Sequence, residues 1–172
     1  MRRITFTILS LLLLLIFTSN CNGYKPIFNT AYFQFEINDY EIKGDKLLGN
    51  KIYSQLHRLS KASKEKGNRT SIIILIDASK QKRATSKDSA GKILEYQIVL
   101  NTKVNITDYI TGNIILNQTF TSSQNYKAQD QYYDTLKLEN QYTEQLVDKT
   151  YKDLLIKLSQ NITKWLLKAT KF

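Results

Sequence analysis

The chain is poor in the residues from which most active sites are built. Of its 172 residues one is cysteine, one histidine, one proline and six are glycine. A single cysteine excludes an internal disulfide. The lone histidine, His57, has no companions for a zinc set or a nucleophilic triad, and its place beside Leu56 and Leu59 reads as the surface of a helix. The sparse glycines form neither a phosphate-cradling loop nor a dinucleotide fingerprint. Asp39, Glu41, Asp45, Asp77, Asp88, Asp108 and Asp130 are scattered without the paired spacing of an acid and a base. No catalysis, cofactor or metal is expected. A long apolar run is missing as well: the stretch from Phe6 to Phe17 is about a dozen residues, whereas a helix crossing a bilayer core needs about twenty.

What is present at the start is Arg2 and Arg3, then that short run with Leu11 to Leu15 at its centre, then small and polar residues before Cys21. These are the three regions of a secretory signal peptide, expected over residues 1–20. The cysteine stands where cleavage falls, and Thr18-Ser19-Asn20-Cys21 resembles the lipobox of bacterial lipoproteins, although Thr18 and Asn20 replace its usual leucine and small residue. Lipidation of Cys21, with palmitate among the acyl groups, gives the odd thiol a role. Each buried CH₂ of an acyl chain contributes about 0.8 kcal/mol, so several chains form an effectively permanent anchor. Asn22 rather than Asp after the cysteine points to the outer membrane, with the protein facing the periplasm. Residues 21–30, including Gly23-Tyr24-Lys25-Pro26, read as an extended tether.

Lysine and arginine number 25 against 15 acidic residues, a formal charge of +10; removing Arg2 and Arg3 takes two from it and leaves +8. Such a field draws polyanions. An exported chain meets phosphorylated lipid and polysaccharide rather than nucleic acid, which is not expected as a partner.

Residues 31–172 suit one domain. Phe33, Phe35 and Ile37 alternate with polar residues as a half-buried strand does. Leu48, Ile52, Leu56 and Leu59 share one face of a helix between Lys46 and Ala62, closed by Gly67-Asn68. Ile72 to Ile76 is apolar on both faces and predicts a central strand. The polar run from Lys80 to Gly91 predicts a hairpin connection, or strand ends leading into one. Leu94 to Ile106 alternates clearly; Asp108 to Gly112 turns; Ile114, Leu116 and Phe120 return. After a tyrosine-rich stretch, Tyr126 to Tyr133, a helix is predicted from about Leu138 toward Leu167, its stripe marked by Leu146 or Val147, Tyr151, Leu154, Leu155, Leu158, Ile162 and Trp165. The expected fold is α+β: a two-layer sandwich with a roughly four-stranded, mostly antiparallel sheet, both helices on one face, and a polar, partly aromatic opposite face.

Lys80, Lys82, Arg83 and Lys87 form the one polar cluster with chemical character. Four cations on adjoining strand ends can grip phosphate, arginine by paired hydrogen bonds and lysine as a point charge. Tyr126, Tyr132 and Tyr133 have the composition of a binding surface or of a cap on the core.

Taken in order, Cys21 with Gly23 to Pro26, Thr85 to Gly91 before Ile93 to Ile106, the turn through Asp108 to Gly112, and Tyr126 to Glu139 before the last helix resemble the LPS-assembly lipoprotein family, LptE, in its alphaproteobacterial form. That resemblance implies a lipoprotein that plugs the lumen of an LptD-type outer-membrane β-barrel and assists lipopolysaccharide assembly, with lipopolysaccharide phosphates gripped in the region of Lys80 to Lys87. The alternative from a different class is a periplasmic adaptor lipoprotein accessory to a transporter or a cell-wall enzyme.

Replacing Cys21 by Ala is expected to abolish incorporation of labelled palmitate and to release the protein from the membrane fraction. Retention of both label and membrane association would remove the anchor.

Overall fold

A computed structural model describes residues 35–62 and 69–169, with side chains up to residue 162. The signal, the lipobox, the tether, Phe33, Gly67-Asn68 and the side chain of Trp165 lie outside the described residues. Strand β1 is Phe35–Gly44, helix α1 Lys46–Ala62, strand β2 Thr70–Lys87, β3 Ile93–Asp108, β4 Ile114–Lys127 and helix α2 Tyr132–Ala169. The strands lie side by side in chain order, β1 parallel to β2 and the other two pairs antiparallel. The four-stranded mixed sheet with two helices is the predicted α+β sandwich.

Register fixes which side chains face the helices. Ile72, Ile74, Ile76 and Ala78 of β2 lie level with Asp108, Ile106, Val104 and Thr102 of β3, and all eight are buried. Leu48, Ile52 and Leu56 from α1 and Leu146, Val147, Leu154, Leu155 and Leu158 from α2 close over this layer. The helices are tied to each other by Lys51 with Glu144 and by the Gln55 amide donating to Asp148 Oδ1 at 3.0 Å.

The elements differ in reach. At about 3.3 Å per residue, β2 with 18 residues is about 60 Å long and β1 with 10 about 33 Å. At 1.5 Å per residue, α1 with 17 covers about 26 Å and α2 with 38 about 57 Å. Gly44 is level with Ala78, so β1 and α1 cover only the half of the sheet where β1 begins, and α2 alone covers the rest. We call these halves the tether end and the far end.

The reversal from β1 into α1 hangs on Gly44, whose φ is +68°. A Cβ there would lie 2.2 Å from the Ala78 carbonyl oxygen, which accepts the Asp45 amide at 2.7 Å. Asp45 caps α1, its carboxylate accepting the Leu47 and Leu48 amides at 3.0 and 3.1 Å. The two contributions are separable by mutation. Asp45→Ala loses a cap and is expected to cost about 1 kcal/mol. Gly44→Ala meets both a left-handed φ and a backbone collision and is expected to cost clearly more, about 2 kcal/mol or above, by urea denaturation.

Candidate functional site

The alternation that buries Ile72 to Ala78 continues along β2 into Lys80 and Lys82, which thereby point to the helix side. Beyond the end of β1 this side is roofed by α2 alone, and α2 sets Glu139 over the two ammonium groups. Lys82 Nζ lies 2.7 Å from Glu139 Oε2 and Lys80 Nζ 3.1 Å from Oε1. The Tyr126 hydroxyl donates to Oε2 at 3.3 Å, and Lys82 also stands 4.3 Å from the centre of the Tyr96 ring. Tyr96 stacks on Tyr126, which leans on Tyr142 of α2, with centroids 5.7 and 5.9 Å apart. The Glu139 side chain keeps 10% of its exposure and the lysines about 30%, so the pairs sit in a half-dry site rather than in open water.

The charges respond accordingly. Burial alone would raise the Glu139 carboxyl, but Lys82 and Lys80 outweigh it and hold its pKa below the usual range. Burial likewise works against the Lys82 ammonium and is outweighed by Glu139 and Tyr126, so its pKa is raised. The Tyr126 phenol is pushed up by burial first and by Glu139 second.

The four cations grouped by sequence are therefore divided. The run is strand to Lys87, because the β2–β3 ladder continues to Lys87 opposite Ile93; only residues 88–92 form the connection, so strand ends rather than an open loop hold the cluster. Lys80 and Lys82 face α2 and are engaged by Glu139. Arg83 faces the opposite side, where its Nε donates to Gln97 Oε1 and the Gln97 amide to Asn125 Oδ1, both at 2.8 Å. Lys87 is exposed at the far end. The tyrosines divide too: Tyr126 is buried, while Tyr132 and Tyr133 at the start of α2 are 76% and 72% exposed.

Glu139 was absent from the sequence-derived set. Its signal was the helix stripe followed backward by fours from Val147 to Thr143, Glu139 and Thr135, the last three of which are buried although polar. The predicted helix start near Leu138 is late by six residues, since Thr135 bonds the chain before the helix by accepting the Gln129 amide at 2.8 Å.

The face of the sheet away from the helices carries Ser79, Gln81, Arg83, Gln97, Asn101, Thr121, Ser123 and Asn125 on neighbouring strands, and Thr121 donates to Asn101 at 2.8 Å. It is polar but not partly aromatic as expected: Tyr96 and Tyr126 lie on the helix side, where their register places them level with Ala84 beyond Lys82. Among the described residues no three of His, Cys, Asp and Glu are grouped to hold a metal, and His57 stacks beside Tyr53 at 5.7 Å. A cleft of about 330 Å³ at the far end is lined by Lys92, Tyr96, Gln129, Asp130, Tyr132 and Thr135.

No protein-family model matches this chain, and no curated protein does. Solved structures do. A minor lipoprotein of Acinetobacter baumannii is similar with a TM-score of 0.52 and 14% identity over 75% of this chain and 92% of its own. Lipoprotein B of Nitrosomonas europaea has a TM-score of 0.48 and 19% identity over 80% and 88%. Rare lipoprotein B of Shewanella oneidensis has 0.44 and 10% over 77% and 96%. The first of these shows that the fold is one that a bacterial lipoprotein adopts.

The lowered pKa of Glu139 means that its contribution to stability is complete above the ordinary carboxylate range and is lost as pH falls through the folded-state value. Glu139→Gln is expected to cost about 1–2 kcal/mol at neutral pH by urea denaturation. The gap from the parent protein should shrink toward acid, where Glu139 itself is protonated. A gap independent of pH would show that the charge is not what stabilises.

Proposed function

We propose that the chain is an outer-membrane lipoprotein of the LptE kind, anchored through acylated Cys21 and facing the periplasm, which seats in an LptD-type β-barrel as a plug and assists lipopolysaccharide assembly without catalysis. The observation that carries this reading is the uncovered sheet face. Polar side chains there are bonded to one another across β2, β3 and β4, as in Arg83–Gln97–Asn125, and across β3 and β4 by Thr121 with Asn101. Such a face suits the polar inner wall of a wide barrel and would be a poor match for acyl chains. The order of segments that resembles the LptE family, and a fold shared with a bacterial lipoprotein, support the same reading.

For lipopolysaccharide phosphates the far end of β2 is the proposed contact. Arg83 and Lys87 reach solvent there, whereas Lys80 and Lys82 are already engaged with Glu139. The four therefore differ in what their removal does. Arg83→Ser with Lys87→Ser should leave stability within about 0.5 kcal/mol per site, the usual range for exposed changes. The same pair should weaken lipopolysaccharide binding. Lys80→Ser with Lys82→Ser strands a buried carboxylate and should destabilise the domain as well. Unchanged binding after removal of all four cations, in a variant that still folds, would end the assignment.

The partner is tested by pulling the tagged, full-length protein out of its own membranes in detergent. Stoichiometric recovery of one large outer-membrane barrel is expected. Recovery of an inner-membrane transporter would instead favour the adaptor.

A further inference from the structure

The hairpin turns at the two ends of the sheet are built alike and decorated oppositely. At the far end Asp88 opens the turn: its carboxylate accepts the Ala90 and Lys92 amides at 2.9 and 2.8 Å, and its carbonyl accepts the Gly91 amide at 3.1 Å. At the tether end Asp108 does the same for Ile110 and Thr111, at 3.0 and 2.7 Å, and for Gly112 at 2.9 Å. The far turn displays Ser89 between Lys87 and Lys92. The tether-end turn instead displays Tyr109, Ile110 and Ile114, which are 54%, 83% and 62% exposed, and carries no cation between Thr107 and Gln118.

Packing does not explain these three side chains, since they lie outside the core that the neighbouring Ile106 and Leu116 complete. Nor does the turn need water for its amides. Tyr109 donates to the Ser71 carbonyl at 2.8 Å, Asn113 to the Thr111 hydroxyl at 3.3 Å, and the other three amides to Asp108. A turn whose amides are satisfied internally loses less on entering a region of low water content than one whose amides rely on water.

Position supplies the occupant. The chain leading from Cys21 joins β1 at Phe35, level with Thr70, and Ile72, two residues on, is level with Asp108. With neighbouring strands about 4.8 Å apart, the start of β1 and the turn lie about 10 Å from each other on one edge of the domain. The fourteen residues from Cys21 to Phe35 span about 50 Å at most, less than the roughly 60 Å of the sheet, so the apolar turn is at the end held nearest the anchor.

We infer that the β3–β4 turn is a membrane-contact element, with Tyr109, Ile110 and Ile114 resting in the headgroup and upper acyl region of the phospholipid bilayer that holds Cys21. The inference rests on the lipid-anchor reading of Cys21. It adds a second contact, made by the folded domain itself while it stands outside a barrel, that orients the domain with its far end away from the lipid. Tyrosine suits such a boundary because its ring is apolar and its hydroxyl remains hydrated, and residues of this kind sink about 5–10 Å into the interface.

The test uses the full-length, acylated protein, in which Cys21 has no free thiol. Ile110→Cys carries an environment-sensitive fluorophore, and Ser89→Cys at the far turn carries the same one as a control. Both are reconstituted into vesicles of phosphatidylethanolamine and phosphatidylglycerol and isolated by flotation, with the acyl mass confirmed by mass spectrometry. The expected result is a blue shift and loss of iodide quenching at position 110 and neither change at 89. Water-like emission at 110 in protein that is acylated and floats overturns the inference and leaves the anchor intact. Protein that neither carries acyl groups nor floats overturns the anchor reading, and the inference with it. A shift at 110 that needs a co-purified barrel protein and is absent with lipid alone assigns the turn to a protein partner and overturns the inference as well.

Discussion

Strand β1 stops level with Ala78 while β2 runs nine residues further, and most of what distinguishes this domain follows from that inequality. Where all four strands and both helices are present, β2 buries Ile72, Ile74, Ile76 and Ala78 on the helix side. Where β1 and α1 are gone, the next two positions on that side are lysines. A sheet three strands wide under one helix cannot keep water from its margins, and long side chains that lay their stems on apolar surface while their charged ends find a partner are suited to such a margin. Glu139 is that partner. It joins β2 to α2, and through Tyr126 it joins β4 to the same point, so a polar cluster does for the far half what the aliphatic layer does for the tether half.

The same one-sided construction determines the other face. With both helices on one side, the second side of the sheet must remain wetted, and it can do so without exposing a large apolar area only if its residues are polar. Ile73 and Leu75 are the exceptions on β2 and are half-covered by their neighbours. Elsewhere serines, threonines, asparagines and glutamines bond along the rows of the ladder. The bonded rows, Arg83–Gln97–Asn125 and Asn101–Thr121, present a broad polar surface rather than a pocket for a single tightly held ligand.

How much of this was legible in the sequence depended on whether a local period coincided with a long-range partner. The helix from Lys46 to Ala62 was readable because its apolar residues recur by threes and fours. The hairpin of β3 and β4 was readable because alternation and turn chemistry agree. The far end of β2 was not, because a polar strand looks like a connection unless its partner is known: Lys80, Gln81, Lys82 and Arg83 are ordered by the register with Leu100, Val99, Ile98 and Gln97, which lie up to twenty residues away. The cation cluster was legible as composition but not as geometry, since alternation sends Lys82 and Arg83 to opposite faces. Glu139 was hidden for a related reason, being a charged residue at a position of the helix stripe that only the absence of β1 makes fit for one.

A protein can act by holding surfaces at fixed separations, and the stiffness needed for that is present. Two antiparallel ladders of fourteen to eighteen residues, crossed along nearly their whole length by a 38-residue helix, resist bending because every backbone bond and the packed side-chain layer must yield together. Along such a rod the chemistry changes from exposed tyrosine and isoleucine beside the incoming chain, level with Ser71, to Arg83 and Lys87 about 40 and 53 Å further along β2, at about 3.3 Å per strand residue. Between an apolar bilayer and a phosphate-bearing ligand, a body with these two ends has a preferred direction. The polarity follows from which residues occupy two otherwise equivalent turns, and in the proposed role a lipid attachment at one end and an anion contact at the other would each be less effective if the sheet between them were shorter or could flex.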